Sequence, residues 1–252
     1  MAEIAVFILG LIFGSFANVI VLRLNTGESL IFGGSRCFFC GRELKWFELI
    51  PVLSFFAWGG KCRTCGCRIS WQYPALEAAS GILFLLVYIF GRGPGIYIPF
   101  FWLLLAASAY DIRHKIIPNQ LVYSAAAVIL LYLTVGSGVL SGDWGLLVRN
   151  LAVGAGLSAF FAFLWLVSKG RWMGFGDAKM AFVLGLALGW PAGLVGLFVS
   201  FWLGAAAGLI YLLFSSSASL KAEIPFAPFL FAGGLSAFLW GDFLISWYLS
   251  LI

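Results

Sequence analysis

The sequence predicts an all-α polytopic membrane protein of about eight transmembrane helices, with one small polar module after the first helix. Hydrophobic residues make up 63% of the 252 residues and charged residues only 10%, whereas soluble proteins carry about 25% charged residues. Apolar runs close to the ~20-residue length of a helical span recur along the chain, and a single polar segment interrupts them. An ordinary water-soluble fold and a disordered chain are therefore both excluded.

The apolar runs define the predicted spans in chain order. They cover 4–22, 75–90, 96–110, 121–135, 146–167, 176–190, 192–214 and 226–249. The first run has no basic residue ahead of it and no small-residue cleavage site, so we interpret it as a membrane helix rather than a removable signal peptide. The prediction divides the chain into a first transmembrane helix at 1–22, a polar module at 23–73 and a seven-helix membrane region at 74–252.

The positions of the basic residues predict which side of the membrane each loop occupies. If the polar module is cytoplasmic, the loops at 111–118, 168–179 and 215–225 lie on the same side. Of the 15 Lys and Arg residues, all except Arg92 and Arg149 then lie inside, as the positive-inside rule requires. The N-terminus is therefore expected outside. Basic residues beside spans and anionic lipid account for the net charge of +5, so membrane lipid is an expected partner and nucleic acid is not.

The polar module contains two cysteine pairs. Cys37 and Cys40 form one CxxC pair, Cys62 and Cys65 form a second, and 21 residues separate the pairs. This spacing is typical of a four-thiolate structural zinc site, and a segment of about 50 residues gains most from a structural metal because its core is small. Two disulfides and redox chemistry are the alternatives, although a cytoplasmic position disfavours persistent disulfides. Cys67 is either a spare thiol or an alternative ligand.

Two aspartates fall at the predicted inner membrane face. Asp111 ends the third span and Asp177 begins the sixth, just after Gly174 and Gly176. Ionisable residues in membrane spans are costly, so each is a candidate functional residue. Two adjacent carboxyl groups share one proton, because both cannot ionise cheaply, and together they supply the acid and the base of aspartyl proteolysis.

Each of these aspartates also has a purely structural interpretation. Asp111 could pair with Arg113 or Lys115, and Asp177 could cap its helix or pair with Lys179. A proton or cation path through a transporter is a further alternative, which predicts acids near the bilayer midplane. A membrane scaffold built on the cysteine module would leave both aspartates without a role.

The combined motifs resemble the type IV prepilin peptidases along nearly the whole chain. The matching segments are GSFANV at 14–19, IPVLS at 50–54, RISWQYP at 68–74, IPN at 117–119, GFGDAK at 174–179 and IPFAPF at 224–229, together with the two CxxC pairs. The Gly-x-Gly-Asp segment is also similar to that of the presenilin-type intramembrane proteases, which share the aspartyl chemistry without the cysteine module.

The resemblance implies a membrane aspartic endopeptidase that removes the short basic leader from type IV prepilins or pilin-like secretion proteins, at the cytoplasmic face of the bacterial inner membrane. It assigns Asp111 and Asp177 as the catalytic aspartates. It also implies methylation of the new N-terminal amine with S-adenosylmethionine as donor, and an intact cysteine module favours this second activity. Asn18, Arg23 and Glu77 are the candidate residues for the methyl donor. The resemblance does not indicate the pilin system served or the oligomeric state.

Overall fold

The computed structural model describes residues 1–91, 93–214 and 224–250. Arg92 and most of the predicted inner loop at 215–225 therefore lie outside the described residues. The chain forms two compact units, Met1–Ile89 and Phe90–Ile252. Within the described residues both units are built from helices, and the only β pairing consists of two isolated bridges in the first unit.

The first unit contains two long helices with the polar module between them. Helix α1 covers Ala2–Arg23, a short helix α2 covers Leu53–Ala57, and α3 covers Gln72–Phe90. The long helices approach closely because Gly14 has no side chain: a Cβ atom there would lie 2.5 Å from the Glu77 Cα atom. Small residues allow this kind of close packing between membrane helices, so the polar module is held between the ends of a tightly packed helix pair.

The described part of the second unit contains the remaining six helices. These are α4 (Tyr97–His114), α5 (Asn119–Leu131) with a π-helical continuation at Tyr132–Leu140, α6 (Trp144–Ser168), α7 (Phe175–Leu188), α8 (Ala192–Phe214) and α9 (Ala227–Leu249). Asp143 caps α6, since its side chain accepts a hydrogen bond of 3.2 Å from the Leu146 N–H. This is the capping role expected of an aspartate at a helix start.

Six of the described helices are long and apolar enough to cross a membrane. They are Ala2–Arg23, Gln72–Phe90, Asn119–Leu140, Trp144–Ser168, Ala192–Phe214 and Ala227–Tyr248. Each of the eight predicted spans corresponds to a helix, but α4 and α7 are not among these six. Helix α7 has 14 residues and is about 21 Å long, which is short of the ~30 Å hydrocarbon core. The predicted count of eight spans is therefore not confirmed.

The two helices that are not among these six, α4 and α7, form the core of the second unit. Phe100, Phe101 and Leu104 of α4 are fully buried, as are Met180 and Leu186 of α7. In contrast, only 6% of the most apolar window of α8 is buried. The outer helices therefore surround α4 and α7, which explains how these two helices can carry polar residues at their ends.

Candidate active site

The polar module is built from two equivalent turns. In the first, the Gly41 N–H donates to the Cys37 carbonyl at 2.9 Å, and in the second the Gly66 N–H donates to the Cys62 carbonyl at 2.9 Å. Both glycines have φ of +69°, a conformation that L side chains adopt only at a cost. The glycine after each CxxC pair thus closes the turn that presents the two thiols.

The two turns bring four thiols together. The Sγ atoms of Cys37, Cys40, Cys62 and Cys65 all lie within 4.8 Å of one another, and the Cys37 and Cys65 sulfurs are 3.8 Å apart. Tetrahedral zinc with Zn–S bonds of about 2.3 Å requires sulfurs roughly 3.8 Å apart, so these residues fit a metal ion. The Cys67 Sγ lies 3.5 Å from that of Cys37, so the spare thiol borders the cluster.

Backbone N–H groups in each turn favour the thiolate form of the first cysteine of the pair. Hydrogen bonds from the backbone of Cys40 and Phe39 lower the pKa of the Cys37 thiol to about 6. In the second turn, the backbone N–H of Cys65 lowers the pKa of Cys62 in the same way. Burial and the neighbouring thiols raise the pKa values of Cys40 and Cys65 to about 11. The backbone therefore favours thiolate at the first cysteine of each pair, and the convergence of the four sulfurs carries the metal-binding interpretation.

A partly buried ion pair closes the module beside the first turn. Arg42 donates two hydrogen bonds to Glu48, at 3.1 and 2.7 Å, and the Lys45 backbone N–H donates to the same carboxylate at 2.9 Å. The Arg42 guanidinium and this backbone bond lower the pKa of Glu48. The paired geometry is the strong bidentate form of an arginine–carboxylate contact.

The second unit brings Asp111 and Asp177 together although 66 positions separate them in sequence. Asp111 lies in the last turn of α4 and Asp177 in the first turn of α7. Each residue is only 6% exposed, and the Asp111 charge acts on Asp177 through space. A pair of buried carboxyl groups in electrostatic contact is the arrangement that aspartyl proteolysis requires.

The approach of α7 to the segment after α4 depends on Gly176. A Cβ atom at this position would lie 2.9 Å from the Ile117 Cβ atom, closer than side-chain carbons pack. One turn later, Lys179 Nζ donates to Asn119 Oδ1 at 2.8 Å and lies 5.3 Å from the centre of the Phe175 ring. The IPN and GFGDAK segments therefore contact each other directly and fix the start of α7, where Asp177 lies.

Backbone N–H groups donate hydrogen bonds to both carboxyl groups. Asp177 accepts from Gly174, the residue that precedes the first turn of α7. Because the helix begins at Phe175, Asp177 lies inside the first turn and is not the N-cap residue. Asp111 accepts from the backbone N–H of Ala227, and the Ser108 hydroxyl donates to the Ala227 carbonyl at 3.2 Å. Each aspartate is therefore oriented by the free N–H of a helix start.

The role of Ala227 was missed in the sequence, although a signal for it is present. Helix α9 begins at Ala227 and has a proline within its first two positions, at Pro228. Proline is favoured there because the first N–H groups of a helix have no partner within the helix. The Pro225-Phe226-Ala227-Pro228 pattern thus predicts a helix start with an unpaired N–H, but only the fold shows that Asp111 accepts from it.

Asn18 and Glu77 lie in the contact between α1 and α3. Glu77 Oε2 accepts from the Val52 N–H at 2.7 Å, and Ser15 also bonds to this carboxyl group. These contacts supply the partner that a buried acid needs. Asn18 Nδ2 donates to the Tyr73 carbonyl at 3.1 Å, while its buried Oδ1 has no hydrogen-bond partner in the described chain.

Arg23 has a different environment from these two residues. Its guanidinium donates to the backbone carbonyls of Ser29, Gly33 and Gly34 at 3.0 to 3.3 Å and pairs with Glu28 at 3.5 Å. These contacts fold the loop after α1 around the side chain. Of the three candidate residues for a methyl donor, Asn18 and Glu77 lie in the same helix contact, and Asn18 has a buried polar atom without a hydrogen-bond partner among the described residues.

Comparison with known proteins follows the division into two units. The profile of the bacterial Peptidase A24 N-terminal domain matches residues 8–90, and that of the type IV leader peptidase family matches residues 98–209. No solved structure matches the chain.

Similar curated proteins match over nearly their whole length. The prepilin leader peptidase/N-methyltransferase of Bacillus subtilis (strain 168) is 34% identical over 248 residues, which is 97% of each chain. Proteins of the same name are 31% identical in Stutzerimonas stutzeri, over 96% of this chain and 92% of the relative, and 32% identical in Pseudomonas aeruginosa, over 96% and 91%. On both the profile matches and these identities, the chain belongs to the type IV leader peptidase family.

Proposed function

We propose that this protein is a membrane aspartic endopeptidase that removes the basic leader from type IV prepilins or pilin-like secretion proteins, and that it then methylates the new N-terminal amine. Membership of the family and the names of the relatives support both activities. The observation that carries the peptidase activity is the burial of two aspartates from different helices, close enough for the Asp111 charge to act on Asp177.

The chemistry follows from the surroundings of the two carboxyl groups. Because Asp111 and Asp177 are buried together, they share one proton rather than carry two charges. The ionised member takes a proton from a water molecule as the water attacks the scissile carbonyl, and the protonated member donates a hydrogen bond to the carbonyl oxygen. The N–H groups of Gly174 and Ala227 hold both side chains in position during this step.

The location of the two aspartates also argues against a transport function. A proton or cation path requires acids near the middle of membrane helices. Asp111 is in the last turn of α4 and Asp177 is in the first turn of α7, so both lie at helix ends, where water reaches them without crossing the bilayer.

We infer that the chain crosses the bacterial inner membrane eight times, with α4 and α7 as two further spans beside the six long apolar helices. The basic residues support an outside N-terminus and a cytoplasmic module. This orientation gives the ends of α4 and α7 that carry the aspartates a cytoplasmic location, which is the side where a basic prepilin leader remains.

Zinc is the metal that we propose for the four-cysteine cluster. A closed set of four thiolates matches the ligands of structural zinc sites, whereas catalytic zinc sites keep one position open for water. Cys37, Cys40, Cys62 and Cys65 would hold the ion, and its contribution is to join the two turns of the module.

We propose S-adenosylmethionine as the methyl donor, because it carries a reactive methyl group on its sulfonium sulfur. The unpaired Asn18 Oδ1 could accept a hydrogen bond from the donor, and Glu77 lies in the same helix contact. Arg23 was a candidate from the sequence, and its contacts with the loop support an indirect role: it would position the chain after α1.

The peptidase proposal is tested with purified protein and a prepilin in lipid. We expect Asp111→Asn and Asp177→Asn each to lower the cleavage rate at least about a hundredfold, because each variant removes one member of the acid–base pair. Asp143→Asn is the matched control, since asparagine caps a helix as well as aspartate does. We call Asp111 and Asp177 together the dyad. Cleavage by either dyad variant at the rate of the control would contradict the assignment of these two residues as catalytic.

The methylation proposal is tested by the mass of the mature product. With S-adenosylmethionine present, the wild-type product should gain one methyl group, and Asn18→Ala should lower this yield while the cleavage rate is retained. Val19→Ala is the matched control on the same helix. An unmethylated wild-type product would contradict the methylation proposal and leave only the peptidase activity. Full methylation by Asn18→Ala would show that Asn18 is not part of the donor site.

A further inference from the structure

An apolar cleft opens in the second unit between α6, α8, the connection from α6 to α7, and the start of α9. Its volume is about 380 Å³. The wall includes Trp172 and Met173 from the connection, Gly204 and Ala205 from α8, and Phe226 before α9. A cavity of this size is at the lower end of the range for ligand pockets, so it suits a few apolar groups rather than a whole helix.

The cleft is continuous along the chain with the backbone that orients both aspartates. Met173 immediately precedes Gly174, whose N–H binds Asp177. Phe226 immediately precedes Ala227, whose N–H binds Asp111. Two residues of the cleft wall are therefore adjacent in sequence to the N–H groups that orient Asp111 and Asp177. A pocket that receives substrate groups next to the reacting bond is expected to lie beside the catalytic residues in this way.

The chemistry of the lining selects its occupant. None of the described residues that line the cleft is charged, so a basic leader would find no carboxylate there. Met173 is a flexible and polarisable side chain that adapts to different apolar groups, and the small residues Gly204 and Ala205 leave the space open. A Cβ atom at Gly204 would already lie 3.2 Å from the Phe226 ring, so this side of the cleft has no room for a larger residue.

We propose that this cleft binds the first apolar side chains of the substrate on the carboxyl side of the scissile bond. The inference rests on the proposed peptidase function and assigns a specificity site to it. The basic leader lies on the amino side of the scissile bond, and the uncharged lining does not match it, so the cleft is assigned to the side chains on the carboxyl side. Bulky apolar side chains fill the cleft, and small ones leave it partly empty.

The test narrows the cleft without changing the dyad. Ala205 is exposed and lines the cleft, whereas its neighbour Ala206 is exposed and is not part of the lining. We expect Ala205→Trp to lower kcat/KM at least about tenfold for a prepilin with Phe after the scissile bond, mainly through KM. For the same prepilin with Ala at that position the change should be less than about twofold. Ala206→Trp should match the wild type with both substrates.

A second variant widens the cleft. Leu164→Ala removes a half-exposed side chain from the wall, and it should raise kcat/KM for a substrate with Trp after the scissile bond relative to one with Ala. If Ala205→Trp and Ala206→Trp behave alike, or if Ala205→Trp lowers cleavage of both substrates equally, the cleft does not select the substrate and holds lipid instead. A wild-type protein that cleaves neither substrate would refute the proposed function, and this result differs from every outcome of the cleft test.

Discussion

The four cysteines of the first unit lie in two short turns, whereas the two aspartates of the second unit lie at the ends of helices that are distant in sequence. Each cysteine turn is closed by its own backbone hydrogen bonds. The aspartates depend instead on packing between α4, α7 and the start of α9. The cysteine cluster is therefore a local structure that a metal completes, while the aspartate pair exists only as long as the helices keep their positions.

The largest expected effect comes from a change that separates the aspartates without altering either one. Gly176→Val places a side chain where a Cβ atom already lies 2.9 Å from Ile117. A displacement of about 1 Å in a catalytic group costs about a hundredfold in rate, so cleavage should fall by at least that factor while zinc content is unchanged. Gly156→Ala is the control, because no atom lies within 4 Å of its Cβ position. Normal cleavage by Gly176→Val would show that the dyad does not depend on this contact.

The second prediction concerns the cysteine cluster of the first unit. Cys62→Ser should lower bound zinc from about one ion per chain to near zero, and the module should become more sensitive to proteolysis. Cys67→Ser should keep the ion, although its sulfur lies near Cys37. Metal analysis and limited proteolysis measure both results. An equal loss of zinc in the two variants would place Cys67 among the ligands and change the proposed set.

The third prediction concerns the contact between the module and α3 in the first unit. Glu77→Ala leaves the Val52 N–H without its acceptor, which costs about 1–3 kcal/mol, and Glu77→Gln should cost less because an amide oxygen can still accept. Val52 has φ of +63°, so Val52→Gly should stabilise the protein by about 1 kcal/mol. Thermal unfolding in detergent measures all three. Equal destabilisation by Glu77→Ala and Glu77→Gln would mean that charge, and not the hydrogen bond to Val52, holds the module.

The smallest expected effect lies outside both sites. Asp143→Ala removes the cap of α6 and should lower stability by about 1 kcal/mol, while cleavage rate and zinc content stay at wild-type values. Thermal stability, cleavage rate and zinc content of this variant give the baseline with which the other variants are compared. A loss of cleavage here would show that the dyad responds to any weakening of the second unit.

The sequence predicts the two sites to different extents because of this same difference. The metal cluster follows from two CxxC pairs, each followed directly by a glycine. The meeting of Asp111 and Asp177 could be proposed only from their shared membrane face and from the family resemblance. The N–H of Ala227 could not be assigned to Asp111, since no local pattern relates the start of α9 to the end of α4.

Composition alone does not determine which helices cross the membrane. Apolar length alone counts α4 and α7 with the other helices, but their burial inside the second unit permits charged ends and a 14-residue helix. A helix surrounded by other helices does not need the length that contact with lipid requires.

The two self-closing turns of the module also bear on the order in which the chain can assemble. During synthesis, the turn at Cys37 leaves the ribosome before the turn at Cys62, and each contains the hydrogen bonds that shape it. Neither turn must wait for the rest of the protein. The ion needs only to join two finished halves, so the first unit can be complete before the helices that carry the aspartates have entered the membrane.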